Sequence, residues 1–261
     1  MKRHHFIALL ALVGLASCMV PPVVAAQETK ETRCYELRIY HAAEGKLEAL
    51  NTRFREHTTE LFTRHGMTNV VYWTPIENPE RLLIYLLSYP NLAAREASWK
   101  AFQADPDWIA VRNASEVSGA LVDRVENRFL TATDFSQELK VDRAGVPHTF
   151  EMRTYTASPG NLPRLLDRFR QHTVAIFSKH GMGHLGYFTP STGQPGADNT
   201  LIYFLYHASP EARKNSFAAF GMDSEWVKIK SDSEAAAGGP LTIAGGVKSE
   251  LLKASDFSPI K

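Results

Sequence analysis

The chain repeats itself, and no other feature constrains its fold as strongly. Phe54–Pro75, FREHTTELFTRHGMTNVVYWTP, returns at Phe169–Pro190 as FRQHTVAIFSKHGMGHLGYFTP; Phe54, His57, Phe62, His65, Gly66, Met67, Tyr72, Thr74 and Pro75 recur at one constant offset. The echo continues upstream, where Tyr35–Gly45 matches Phe150–Gly160. Downstream, Leu83–Leu87 matches Leu201–Leu205, Ala97–Trp108 matches Asn215–Trp226, and Thr131–Ser136 matches Lys253–Ser258. An internal repeat means that one structural unit occurs twice, so the unit must be read before the whole.

Each unit opens on a strand. Tyr35, Leu37 and Ile39 alternate with Glu36, Arg38 and Tyr40, and Phe150, Met152 and Thr154 alternate with Glu151, Arg153 and Tyr155; this is the two-residue period of a half-buried strand. Gly45 and Gly160 mark the turn that follows. Leu47, Leu50, Phe54, His57 and Leu61, with Leu162, Leu165, Phe169, His172 and Ile176, then recur at steps of three and four. That spacing predicts a helix with His57 and His172 on its buried stripe. His65-Gly66 and His180-Gly181 supply its stop, glycine for the left-handed position and histidine for the negative end of the dipole.

Strands follow at Val70–Thr74 and Leu185–Thr189, each ended by proline, and at Leu82–Tyr89 and Thr200–His207, apolar on both faces. Helices are expected from Leu92 and Pro210, then over Trp108–Glu116 and Trp226–Glu234, before last strands near Leu121–Leu130 and Val247–Leu252. The plan is β-α-β-β-α-β, a ferredoxin-like α+β unit, in repeats spanning 33–136 and 149–258 with a linker at 137–148. Such a unit leaves one sheet face open. Two fused copies bury those faces as a pseudo-twofold barrel of eight strands, filled by side chains or enclosing one small ligand.

Residues 1–26 read as an export signal: Lys2 and Arg3 precede an apolar run, Phe6–Ala16, that falls short of the roughly 20 residues a membrane span needs. Cleavage after Ala26 gives a periplasmic or secreted protein, whereas Leu15-Ala16-Ser17-Cys18 resembles a lipobox and would anchor the chain through Cys18. Removing Lys2 and Arg3 from the 29 basic residues leaves 27 against 28 acidic ones, a balance of −1. Neither nucleic acid nor an anionic membrane surface is implied by that charge. Cys34 alone would remain of two cysteines, which excludes an internal disulfide and leaves it a buried small side chain or an exposed thiol.

YELRIY at the first strand, the His-Gly-Met exit from the helix, and above all SWKAFQADPDWIAVRNASE at Ser98–Glu116 resemble the NIPSNAP family. The resemblance covers both repeats and implies a member of the dimeric α/β-barrel superfamily. Family members are described around vesicular trafficking, mitochondrial quality control and protein binding. The superfamily includes cofactor-independent monooxygenases, isomerases and haem-degrading enzymes, so the resemblance implies a fold and leaves the activity open. The second repeat departs from the first at Asp223-Ser224 and at the Gly/Ala-rich Ala235–Gly246, a longer connection that is either the lid of a single working pocket or a feature that spoils the other.

Within this plan the polar triplets Glu36, Arg38, Tyr40 and Glu151, Arg153, Tyr155 are expected to face the barrel interior, with their apolar neighbours on the helices. Arg38 and Arg153 would anchor a polar or anionic ligand group, while Tyr40, Tyr72, Tyr85, Tyr155, Tyr187 and Tyr203 line the cavity. Glu36 or Glu151, with pKa raised by burial, would accept a proton. The competing reading makes Glu36 and Arg38 a structural ion pair. His57 and His172 are secondary candidates; without an H-x-x-x-H or C-x-x-C spacing they call for no metal, and no cofactor is expected. The expected partner is thus a small, largely apolar molecule, with a protein-binding module built on a filled barrel as the alternative. The sequence does not fix the oligomeric state.

Overall fold

A computed structural model describes residues 33–137, 139 and 147–261. The signal and lipobox readings of residues 1–26, including Cys18, lie outside the described residues, as does most of the linker. Each repeat has the expected order. The first comprises β1 (Cys34–Ala42), α1 (Leu47–Arg53), a π turn (Phe54–Thr58), α2 (Thr59–Arg64), β2 (Thr68–Pro75), β3 (Leu82–Tyr89), α3 (Leu92–Ala104), α4 (Pro106–Ser115) and β4 (Val122–Ala132). The second comprises β5 (Thr149–Ala157), α5 (Leu162–Arg168), a π turn (Phe169–Thr173), α6 (Val174–Lys179), β6 (Gly183–Pro190), β7 (Thr200–His207), α7 (Pro210–Met222), α8 (Ser224–Ala237) and β8 (Thr242–Ala254).

All strand neighbours are antiparallel, and the eight close in the order β1-β3-β2-β8-β5-β7-β6-β4. The repeats join through three residue pairs at each seam, Trp73–Pro75 against Leu252–Ala254 and Leu130–Ala132 against Phe188–Pro190. The barrel is filled. Tyr35, Leu37, Ile39, Trp73, Ile84 and Leu86 of the first repeat form one cluster with Phe150, Phe188, Ile202 and Phe204 of the second. Trp73 stacks on Phe204 with centroids 5.0 Å apart, and Tyr35 meets Phe188 edge-on at 5.0 Å.

The faces are therefore the reverse of the sequence expectation. Tyr35, Leu37 and Ile39 point into the barrel, while Glu36, Arg38 and Tyr40 point outward under the helices, where Phe54, Tyr72, Tyr85 and Phe62 form a separate core. The strand's alternation is symmetric with respect to inside and outside. What decides is that two sheets meeting face to face must be apolar on the shared side, whereas a helix layer offers polar partners to the other.

The helix termini follow the sequence closely. At Gly66, with φ +75°, the Gly66 N–H bonds the Thr63 carbonyl at 3.0 Å and the Met67 N–H the Phe62 carbonyl at 2.9 Å, and Gly181 and Met182 repeat the arrangement. His65 and His180 at these ends also pair with Asp105 (2.6 Å) and Asp223 (2.7 Å), the residues that cap α4 and α8. Inside the helices the structure differs from the pattern. A π turn adds one residue per repeat, so Thr58 and Thr173 are buried, while His57 is exposed and His172 half-buried. An extra residue rotates everything after it by about 100°, which moves the histidines off the stripe.

Ala235–Gly246 is not a lid. Its start completes α8 and its end belongs to β8, where a Cβ on Gly246 would lie 2.8 Å from the Thr156 carbonyl oxygen. No helix among the described residues is long and apolar enough to cross a membrane.

Candidate functional site between sheet and helices

Glu36 sits near the start of β1 with no exposure, directly below α3. It accepts hydrogen bonds from Arg38 Nη1 (2.7 Å), Arg95 Nε (2.9 Å) and Nη2 (2.7 Å), the Tyr89 hydroxyl (3.0 Å) and Trp99 Nε1 (3.0 Å). Burial alone would raise its pKa. The Arg95 hydrogen bonds and the Arg38 charge outweigh that penalty and hold the carboxyl below its ordinary value of 4.5. Glu151 repeats the pattern with Arg153, Arg213, His207 and Ser249 as donors, and its pKa is likewise depressed. The expected rise in pKa is thus reversed for both, because each carboxylate is ringed by cationic donors. A group so occupied serves as a clamp for arginines and is a poor proton acceptor.

What the clamp orients is Arg38. Its Nε donates to the Tyr85 hydroxyl at 3.0 Å, its Nη2 to the Tyr40 hydroxyl at 3.3 Å, and its guanidinium lies 4.3 Å from the Trp99 ring centre. Beside it a cavity of about 360 Å³ opens between sheet and helices, lined by Arg38, Tyr40, Arg53, Phe54, Thr58, Phe62, Trp99, Phe102, Gln103, Trp108 and Arg112. A second hollow shares Arg38, Trp99 and Gln103 with it and adds Arg95, Glu96 and Lys100, which gives the outer approach a basic rim.

Arg53 enters this cavity from the last turn of α1, three residues after the buried Leu50 and on the same inward face, just before the π turn begins. The Thr58 hydroxyl donates to the Arg53 carbonyl at 3.1 Å, fixing the widened turn. The Arg53 side chain, 6% exposed, donates from Nη1 to Ser115 (3.2 Å) and Glu116 (2.8 Å), and its guanidinium lies 5.3 Å from the Trp108 ring centre. Its Nε is buried and has no hydrogen-bond partner among the described residues. A buried guanidinium donor without an acceptor is costly.

Of the sequence candidates in the first repeat, Arg38 and Tyr40 line the cavity. Tyr72 and Tyr85 do not: they stack on each other at 5.2 Å behind it, fully buried. Tyr187 and Tyr203 do the same in the second repeat at 5.3 Å, while Arg153 reaches Tyr155 and Tyr203. His57 borders a different, outer groove. Sequence reasoning missed Arg53, and read Trp99 and Trp108 as core packing between helix and sheet. A signal existed for two of them, since Arg53 returns as Arg168 immediately before the repeated phenylalanine and Trp108 returns as Trp226. Among the described residues no group of three His, Cys, Asp or Glu side chains is placed to hold a metal ion. Cys34 is half-buried, and its surroundings push the thiol up to about 11, chiefly by burial.

A family model described as NIPSNAP matches residues 35–137 and 150–259. Among solved structures, a protein described as anthrone oxidase-like is 10% identical, with a TM-score of 0.55 over 86% of this chain and 92% of its own. A monooxygenase candidate from Fusobacterium nucleatum is 12% identical, with a TM-score of 0.52 over 85% of this chain and 92% of its own. A NIPSNAP protein from Agrobacterium tumefaciens is 25% identical and covers 40% of this chain and 95% of itself, one repeat's worth, with a TM-score of 0.36. No curated protein matches the chain. At such identities the full-length neighbours establish the fold, an α+β chain with two tandem repeats closed into one barrel.

Proposed function

The chain belongs to the NIPSNAP family, and on that footing we propose that it binds a small aromatic or alicyclic anion in the first repeat's cavity, outside the barrel and under the helices. One observation carries this reading. Two clamped arginines, Arg38 and Arg53, stand with the Tyr40 hydroxyl in a cavity of about 360 Å³ whose apolar walls are Phe54, Phe62, Trp99, Phe102 and Trp108, with Thr58, Gln103 and Arg112 completing the lining. A volume of a few hundred Å³ with apolar walls and a few convergent polar groups is the usual make-up of a small-molecule site. Planar rings suit the aromatic walls, and a carboxylate or phenolate suits the guanidinium pair.

Any reaction at this site would proceed without Glu36 as base. The cavity instead favours the ionised form of the ligand, as a phenolate or enolate between Arg38 and Arg53. Such an anion is the species that a cofactor-independent monooxygenase or isomerase works on, in keeping with the oxidase and monooxygenase descriptions of the fold neighbours. Oxygen uptake and isomerisation assays on phenolic and enolisable aromatic acids test this step. Export belongs to the same proposal, and N-terminal sequencing of the mature protein distinguishes cleavage after Ala26 from acylation at Cys18.

Arg38→Met tests the binding. We expect affinity for an aromatic carboxylate to fall about tenfold or more, the effect of losing a charge-assisted contact, with cooperative unfolding retained because Arg95 still neutralises Glu36. Loss of the fold with no ligand effect in any folded variant would make the pair purely structural. A second reading, a protein-binding module, draws on the filled barrel and on the groove of about 750 Å³ between α1 and α4. Under that reading Val111→Glu in the groove abolishes partner capture from envelope extracts, and Arg38→Met does not.

A further inference from the structure

The side chains that line the first cavity have counterparts at the same places in the second repeat. Of the eleven side chains lining that cavity, eight recur identically in the second repeat; the three exchanges are Trp99 to Phe217, Gln103 to Gly221 and Arg112 to Lys230. The geometry recurs with them. Arg153 Nε donates to the Tyr203 hydroxyl at 2.9 Å and Nη2 to Tyr155 at 3.2 Å, against 3.0 and 3.3 Å for Arg38. The Arg153 guanidinium lies 4.6 Å from the Phe217 ring centre, and that of Arg168 lies 5.2 Å from the Trp226 ring centre. The Thr173 hydroxyl ties the second π turn to the Arg168 carbonyl at 3.1 Å, the distance found in the first. Phe220 packs on Trp226 at 4.4 Å and Phe102 on Trp108 at 4.5 Å.

Resting on the anion-binding reading of the first repeat, we propose that the second repeat holds a second anion site, built on Arg153 and Arg168, that takes a bulkier aromatic carboxylate or sulfonate than the first. Two exchanges set the size: Phe217 for Trp99 and Gly221 for Gln103 both remove side-chain volume, while Lys230 keeps the positive charge of Arg112. Arg168 is also less fully paired than Arg53. Arg168 is 7% exposed, its Nε has no partner among the described residues, and its acidic neighbour Glu234 stands at 3.6 Å, where Glu116 meets Arg53 at 2.8 Å. Burial, only partly offset by Glu234, pulls the Arg168 pKa below its ordinary value. An under-compensated guanidinium of this kind gains most from an incoming carboxylate or sulfonate.

Calorimetric titration of the full chain with naphthalene and anthracene carboxylates tests the proposal. We expect two binding events per chain, with the tricyclic acid favouring the second-repeat site. Arg168→Lys should weaken that event about tenfold, the loss of a guanidinium's paired contacts, and leave the other unchanged. Phe217→Trp, which retains both arginines, should weaken the tricyclic acid at the same event by a similar factor and spare the bicyclic one, so the proposal remains testable should Arg168→Lys fold poorly. A single event that is lost in Arg53→Lys and untouched by both second-repeat variants overturns the second site and leaves the first standing. Absence of binding by either acid overturns both.

Discussion

At the scale of single residues, the carboxylate of Glu36 decides what its surroundings can do. With five donors around it, the side chain is fixed as an anion that holds Arg38 and Arg95 in place. Because its folded pKa lies below the ordinary 4.5, its contribution to stability is complete above that value and is lost as pH falls through the lower folded pKa. Glu36→Gln should therefore destabilise the protein by about 3 kcal/mol near neutral pH, the lower end for breaking a buried pair, and the gap to the parent should shrink in acid. Urea unfolding of both proteins at neutral pH and near pH 3 checks the sign; a gap that is equal at both would refute it. The triplet's residues were legible from the sequence, since Glu36, Arg38 and Tyr40 alternate with apolar neighbours. Which way they face was not, because a two-residue period carries no label for inside. Arg53 went unseen for a different reason: a lone arginine before a helical phenylalanine looks like a solvated charge, although it stands three residues after the buried Leu50 and shares its face.

At the scale of elements, the π turn is the feature that the sequence pattern could not show. His57 and Thr58 are neighbours, and a straight helix through Leu50 and Phe54 puts the histidine on the buried stripe. The inserted residue exchanges them, which leads to opposite mutational outcomes. His57→Ala should change stability by less than about 0.5 kcal/mol, as for an exposed position. Thr58→Ala should cost about 1–2 kcal/mol, for the lost bond to the Arg53 carbonyl and the buried methyl. Equilibrium denaturation of the two variants decides, and the reverse order of costs would restore the uninterrupted helix. The capped ends, by contrast, could be read off directly, because His-Gly-Met and the aspartates before α4 and α8 satisfy local backbone groups and need no tertiary information.

At the scale of the molecule, the duplication made the closed barrel legible, since two open sheets can hide their apolar faces only on each other. Its filling was less so. The sequence allowed a solid or a hollow interior, and large side chains from both repeats, Trp73 and Phe204 foremost, occupy the middle. That shared core, with only three residue pairs at each seam, makes the two repeats one folding unit. Calorimetry should show a single transition, and Trp73→Ala should lower the stability of both halves together by about 3–5 kcal/mol; two separable transitions would contradict a common core. A solid barrel also leaves the layer between sheet and helices as the place for a ligand, and the four tryptophans report on it. Trp99 and Trp108 wall the first cavity, Trp73 lies in the barrel and Trp226 in the second repeat. The most direct measurement is a fluorescence titration with naphthalene carboxylate on the parent protein, Trp73→Phe and the double variant Trp99→Phe/Trp108→Phe. Saturable quenching that persists undiminished in Trp73→Phe and falls in the double variant to what Trp226 alone reports is the predicted result, whereas quenching that requires Trp73, or none that saturates, would contradict a ligand site under the helices.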